Sequence, residues 1–131
     1  MTNQEVFNTV WNHFVVDRNT YSVDETGVCQ YRGEGPKEGA KCAIGLFIPD
    51  DIYNFEMEEW TGPEDLIKNS LDMAFIFKGI STGFLDKLRD CHDSAALVDW
   101  DDNDSNENIF LSEMIKNLER VAGVWGLVVP V

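Results

Sequence analysis

The sequence predicts a mainly α-helical fold, with α+β as the alternative, in a single compact domain that spans residues 1–131. Apolar residues recur at helical spacing along much of the chain, which indicates about four helices. Residues that cap helices precede these segments. A short alternating segment indicates a small β element near residues 27–33. Hydrophobic residues make up 44% of the chain, which is typical of a globular protein with a buried core.

A capping box begins the first helix, because Thr2 and Glu5 can each satisfy a backbone N–H group of the other residue. We expect this helix to span about residues 3–17. Its apolar stripe consists of Val6, Phe7, Val10, Trp11 and Phe14. His13 and Asp17 lie four residues apart and are expected to pair on the helix surface rather than to form a catalytic dyad.

Residues 18–40 are polar and rich in turn-forming residues. Within them, VCQYR alternates in polarity and predicts the short strand, while GEGPKEG predicts a surface loop. The apolar run at residues 40–47 is too short for periodicity to separate a helix from a buried strand. We favour a short helix there, which Pro49 ends because it disfavours a helical conformation at the residue before it.

A second helix is predicted from Thr61 to Gly79, with Thr61 as N-cap, Pro63 in the first turn and Glu64 completing a capping box. Ser81 caps a third helix. The apolar pattern of the third helix is lost in the polar segment HDSAALVDWDDNDSN, so we expect the helix to end there.

The last helix is preceded by a further capping box, Asp104 and Glu107, and is expected to end at Gly123 or Gly126. The closing segment LVVPV is apolar. It must either dock on the core or meet a partner, since exposed apolar surface favours association.

The charge is the most informative feature of the composition, because 24 acidic and 10 basic residues give a net charge of −14. Such a surface repels nucleic acids and anionic lipids, so we expect no direct nucleic-acid partner and no membrane partner. The acids form a candidate interaction surface for a basic protein partner, with simple solubility as the alternative explanation. Its residues are Asp50, Asp51, Glu56, Glu58, Glu59, Asp99, Asp101, Asp102 and Asp104.

Cysteine usage and the N-terminal sequence predict a cytoplasmic protein, in a cell or in an infected cell. MTNQEVFN lacks the features of a signal peptide, and an odd number of cysteines (Cys29, Cys42 and Cys91) indicates reduced thiols. The spacing of Cys and His residues fits no zinc motif, and DWDDNDSNE has neither a glycine nor a terminal bidentate glutamate at the spacing of a calcium-binding EF-hand loop. We therefore expect no metal and no other cofactor.

A candidate ligand pocket consists of Tyr31, Arg32, Lys41, Cys42 and His92. Lys41 beside Cys42 would lower the pKa of the thiol, and His92 could serve as a base. However, adjacent residues of a helix point in different directions, so the sequence favours a packed cysteine and predicts no catalytic residue.

Arg32 offers a planar fork for a carboxylate or a phosphate. In so acidic a protein, its simplest partner is internal, either Asp50 or Asp51.

The segment CQYRGEGPKEGAKCAIGLFIPDDIY resembles the core of a family of short bacterial and phage proteins. Its members carry Cys-x-Tyr-Arg-Gly, a loop, Lys-Cys-Ala-(Val/Ile)-Gly, then Ile-Pro-Asp and a Tyr. CHDSAALVDW and VAGVWGL are similar to later blocks of that family. The loop from Gly33 to Lys41 is longer here, and Leu46 stands where a second cysteine is common, which argues against a redox pair. The family has no established activity, so the resemblance implies a bacterial or phage origin and no catalytic residues.

The sequence therefore favours a non-catalytic accessory protein of a phage or a bacterium that binds a basic protein. One alternative is a small-molecule-binding protein or an enzyme that uses the candidate ligand pocket. A second alternative is a DNA mimic that inhibits a host defence enzyme, and a third is an oligomeric module that uses the apolar tail.

Overall fold

The computed structural model describes residues 1–101 and 109–130. Within them the chain forms five α-helices: α1 (Asn3–Trp11), α2 (Gly62–Asn69), α3 (Leu71–Ile76), α4 (Thr82–Asp101) and α5 (Ile109–Trp125). A π-helical turn, Asn12–Val16, continues α1, and 3₁₀ turns lie at Gly35–Lys37, Gly45–Phe47 and Phe55–Glu59. The mainly helical prediction is confirmed. None of the helices in these ranges is long and apolar enough to cross a bilayer.

One hydrophobic core joins the helices. Helix α4 packs most extensively against α5, and α1 and α2 also contact α4. The largest fully buried side chains are Phe7, Phe14, Phe84, Ile44, Ile48, Leu66, Met73, Leu85, Leu88, Met114, Leu118 and His92. At one end of this core, Phe14, Tyr21, His92 and Phe110 form an aromatic cluster with ring centroids 5.1 to 5.8 Å apart. This cluster places His92 inside the protein.

The start of α1 confirms the predicted capping box. Thr2 Oγ1 accepts the Glu5 N–H at 3.1 Å, and Glu5 Oε1 accepts the Thr2 N–H at 3.0 Å. The predicted contact between His13 and Asp17 is replaced by another, because Asn19 Nδ2 donates to His13 Nδ1 at 3.2 Å.

The small β element expected near residues 27–33 is not formed. Residues 1–101 and 109–130 contain only two isolated antiparallel bridges, Val23 with Cys29 and Arg32 with Lys41. The physical reason is that the N–H groups of Tyr31 and Arg32 do not bind a neighbouring strand. Both donate to the carboxylate of Glu58, which ends the ladder after one pair.

The short helix expected at residues 40–47 shrinks to the 3₁₀ turn Gly45–Phe47. Lys41 is extended because it forms an antiparallel bridge with Arg32. Cys42 Sγ accepts the Gly45 N–H at 3.1 Å, so the helical turn begins only at Gly45. Pro49 ends the turn as predicted, since Ile48 before it is extended.

The single helix expected over residues 61–79 is two helices. Ser70 is extended between α2 and α3, and its Oγ accepts the Met73 N–H at 3.2 Å, so it caps α3. At the start of α2, Thr61 makes no side-chain cap, and the predicted partnership with Glu64 is wrong. Instead, Asp65 Oδ2 accepts the Thr61 N–H at 3.1 Å.

Helix α4 is longer than predicted, because its buried face continues through Ala95 and Ala96 beyond His92. Helix α5 ends before Gly126, whose φ of 67° is in the left-handed region that favours glycine. The capping box Asp104–Glu107 and most of DWDDNDSNE lie outside the described residues.

The apolar tail docks on the protein. Leu127 and Val129 pack against the core, while Val128 between them is exposed. The side-chain amide of Gln4 accepts the Val128 N–H at 2.9 Å and donates to the Val128 carbonyl at 2.8 Å. A single side chain of α1 therefore holds the tail by its backbone.

Candidate functional site

Glu58 organises the region that contains most of the predicted site residues. Its Oε1 accepts the Tyr31 N–H at 2.7 Å, and its Oε2 accepts the Arg32 N–H at 3.0 Å and the Tyr53 hydroxyl at 2.7 Å. Hydrogen bonds to a carboxylate are stronger than those between neutral groups. Glu58 was predicted as part of an exposed acidic surface, but both of its oxygens are used inside the fold.

Arg32 has the internal partner that the sequence suggested. Its Nη1 lies 3.0 Å from Asp50 Oδ1, and its Nη2 donates to the Ile48 carbonyl at 2.7 Å. The guanidinium also lies over the ring of Tyr53, 4.6 Å from the centroid. The Asp50 side chain is 83% exposed, so the ion pair itself contributes about 0–1 kcal/mol. Arg32 therefore serves to fix residues 48–53 against residues 31 and 32.

Lys41 shares the same partner, with Nζ 3.7 Å from Asp50 Oδ1. On its other side, it lines a shallow cavity with His13 and Asp17. Arg32 and Lys41 are thus directed to Asp50.

Tyr31 and Cys42 lie elsewhere, in a cleft of about 80 Å³ that we call the thiol cleft. Its lining includes Cys29, Tyr31, Cys42, Trp60, Arg89 and Asp93. Four of these residues were not predicted as site residues from the sequence. Cys29, Trp60, Arg89 and Asp93 belong to three separate segments, and no local pattern marks them as neighbours.

His92 is fully buried behind this cleft and does not bond to Cys42. Its Nε2 accepts the backbone N–H of Ser22 at 2.9 Å, and its Nδ1 lies 2.8 Å from Asp93 Oδ1. Since a backbone N–H can only donate, Nε2 must carry the lone pair, and Nδ1 carries the proton that Asp93 accepts. His92 is therefore a neutral structural histidine with no free nitrogen for base catalysis.

Cys29, His92 and Asp93 place ligand atoms within 4.8 Å of one another, which is the spacing of a metal site. The hydrogen bonds of His92 oppose that interpretation. A metal on Nδ1 would require the proton to move to Nε2, where it would face the Ser22 N–H. Nε2 itself is blocked by the same N–H group.

The thiols of the site are neutral. Burial raises the pKa of Cys42 to about 12, even though the Gly45 N–H bond lowers it. Burial also raises the pKa of Cys91 to about 12 and raises the pKa of Cys29, which the nearby Asp93 raises further. A thiol that stays protonated at neutral pH is a poor nucleophile. The cation of Lys41 does not activate Cys42.

These raised pKa values predict a loss of stability at alkaline pH. The unfolded thiols ionise near pH 8.5, whereas Cys42 and Cys91 stay neutral in the folded protein up to about pH 12. The contribution of these two buried thiols to the free energy of unfolding is complete below pH 8.5 and is lost as the pH rises towards 12. We expect the free energy of unfolding, measured by urea titration at a series of pH values, to fall over this range. A Cys42→Ala variant should show a smaller fall, and equal slopes for the two proteins would contradict the explanation.

Among the predicted acidic surface residues, Asp99 also has an internal role. Its Oδ1 accepts the Tyr21 hydroxyl at 2.9 Å, and its Oδ2 accepts the Phe110 N–H at the start of α5 at 3.1 Å. Five of the others are exposed, namely Asp50, Asp51, Glu56, Glu59 and Asp101. Asp102 and Asp104 lie outside the described residues.

Residues 50–59, which we call the acidic segment, carry four of these exposed carboxylates and one exposed aromatic ring. Phe55 is 61% exposed and begins the 3₁₀ turn that also carries Glu56 and Glu59. The neighbouring Met57, in contrast, is buried in the core.

No family model, curated protein or solved structure matches this chain. The resemblance to a bacterial and phage family stays a prediction.

Proposed function

We propose that this chain is a non-catalytic accessory protein of a bacterium or phage, located in the cytoplasm, whose acidic segment binds a basic protein. The observation that carries the proposal is Phe55, an exposed aromatic ring among exposed carboxylates. Aromatic residues are enriched among those that dominate the affinity of protein interfaces. A ring surrounded by acids fits a partner with an apolar pocket and a basic rim.

The acidic segment is held in place before any partner binds. Glu58 bonds to the backbone at residues 31 and 32 and to Tyr53, while Arg32 bonds to the Ile48 carbonyl and pairs with Asp50. Preorganisation of this kind lowers the entropy that is lost on binding. Glu56 and Glu59 then face solvent from a fixed turn.

Electrostatics supports the same partner. A net charge of −14 accelerates encounter with a basic protein and disfavours acidic competitors. The rate of association should therefore fall as the salt concentration rises.

The alternatives receive less support. The buried cysteines and His92 offer no thiolate and no free base for an enzyme built on the candidate ligand pocket. A DNA mimic needs its carboxylates free on the surface, whereas Glu58 and Asp99 are used within the fold.

The test is a triple variant, Phe55→Ala with Glu56→Gln and Glu59→Gln, compared with the unmodified protein. Each protein is immobilised and exposed to bacterial lysate at low and at moderate salt. Captured proteins are identified, purified and titrated by calorimetry. We expect the triple variant to bind the purified partner at least ~100-fold more weakly, because an aromatic anchor and two charges are removed.

A matched control carries the same three changes elsewhere, at residues that are also exposed: Phe75→Ala, Glu64→Gln and Glu119→Gln. It should bind as the unmodified protein does. Equal losses in the two variants, or the absence of any salt-sensitive partner, would refute the proposal.

A further inference from the structure

Helix α4 carries two opposite charges one turn apart in the thiol cleft, Arg89 and Asp93. At this spacing, opposite charges normally pair. Here each has a different partner. Arg89 Nη2 lies 3.3 Å from Asp86 Oδ1, and Asp93 Oδ1 bonds to His92 Nδ1 at 2.8 Å. Within the described part of the chain, no ion pair joins Arg89 to Asp93.

Both charges keep unused hydrogen-bonding capacity. Arg89 Nε is buried and finds no acceptor among residues 1–101 and 109–130. Of the Asp93 side chain, only Oδ1 is bonded within those residues. Glu58 also lines the cleft, but its two oxygens already accept three hydrogen bonds, so it is a poor acceptor for Arg89.

A glycine at position 62 provides the space that the guanidinium of Arg89 occupies in the wall of the cleft. Gly62 lies directly beneath it, and a Cβ atom there would be 2.8 Å from Arg89 Nη1. Gly62 also has a φ of 73°, a backbone conformation that residues other than glycine rarely adopt. A larger residue at position 62 would displace Arg89 from the wall of the cleft.

Apart from Glu58, whose oxygens are already bonded, the other side chains that line the cleft are uncharged. Tyr31 and Cys42 are buried, and their raised pKa values keep them neutral. A singly charged ligand would use the free hydrogen-bonding capacity of only one of the two charged groups, Arg89 and Asp93. A ligand with one carboxylate and one ammonium group satisfies both.

We infer that the thiol cleft binds a free α-amino acid, with its carboxylate on Arg89 and its ammonium group on Asp93. The volume of about 80 Å³ admits a ligand with few non-hydrogen atoms. Glu58 of the acidic segment also lines the cleft. Arg89 and Asp93 lie on α4, however, and the variants that test the acidic segment change neither of them, so each proposal can fail without the other.

The probes are L-alanine, propionate and ethylamine, which share a carbon skeleton and differ in carrying both charges, the carboxylate alone or the ammonium group alone. Each is titrated into the ¹⁵N-labelled protein, and backbone amide shifts are followed by NMR. We expect alanine to shift the signals of Cys29, Gly62 and Asp93 with a dissociation constant at least ~10-fold lower than that of propionate or ethylamine.

Two variants test the assigned residues. Arg89→Gln removes the cation, and Asp93→Asn removes the charge while keeping an oxygen that can accept the His92 N–H. Each should weaken alanine binding at least ~10-fold. The matched controls are Arg120→Gln and Asp90→Asn, which alter exposed residues and should leave the affinity unchanged.

Three results would overturn the inference. One is equal binding of alanine and propionate, which would indicate a simple anion site. Another is the absence of shifts at the cleft with every probe. The third is an equal loss of affinity in the control variants.

Discussion

Replacing Gly45 by alanine is expected to destabilise the protein by about 3 kcal/mol. A Cβ atom at this position would lie 2.1 Å from the Tyr31 carbonyl oxygen and 2.8 Å from its carbonyl carbon. These are backbone atoms, so no side-chain rotation relieves the overlap. Tyr31 would have to move, although its carbonyl accepts the Cys42 N–H and its own N–H is held by Glu58.

The matched control is Gly123→Ala on the exposed face of α5, where an added Cβ meets no atom within 4 Å. Alanine is the better helix former, so this variant should gain about 0.5–1 kcal/mol. Urea unfolding followed by circular dichroism measures both changes. If the two variants shift the midpoint in the same direction, the close approach of Gly45 to Tyr31 is wrong.

The second large effect is expected for His92→Ala, which should cost about 3–5 kcal/mol. The substitution removes a fully buried ring that contacts Phe14 and Phe110. It also leaves the buried N–H of Ser22 without its acceptor. His13→Ala is the control, because that ring is only partly buried and should cost less.

The two histidines provide a second readout that does not depend on stability. Ser22 donates to Nε2 of His92, which requires the Nδ1–H tautomer. Asn19 Nδ2 donates to Nδ1 of His13, which requires the opposite Nε2–H tautomer. Long-range ¹H–¹⁵N NMR should therefore detect one histidine of each kind at neutral pH. Two identical tautomers would contradict the hydrogen bonds described above.

Local signals in the sequence predicted the parts of the fold that are local in origin. The capping box of Thr2 and Glu5 and the stop at Pro49 each depend on residues within a few positions of one another. The β element failed for the opposite reason. Glu58, 27 residues from Tyr31, takes the N–H group that a strand would have used. A pattern within residues 27–33 contains no information about that carboxylate.

The candidate site was predictable to the same degree. Arg32 and Asp50 lie close enough in an acidic sequence for their pairing to be suggested. Arg89 carries no comparable signal, since a single cation on an amphipathic helix normally faces solvent. The hydrogen bond between Ser22 and His92 joins residues 70 positions apart. Because its donor is a backbone N–H, the residue type at position 22 does not indicate it.

The hold of Gln4 on Val128 has a consequence for how this protein can change through evolution. The amide of Gln4 recognises the N–H and carbonyl groups of position 128, and every amino acid except proline supplies both. Residue 128 can therefore vary while residue 4 stays fixed. A contact between the two ends of the chain would then leave no covariation between the two positions, although it closes the fold.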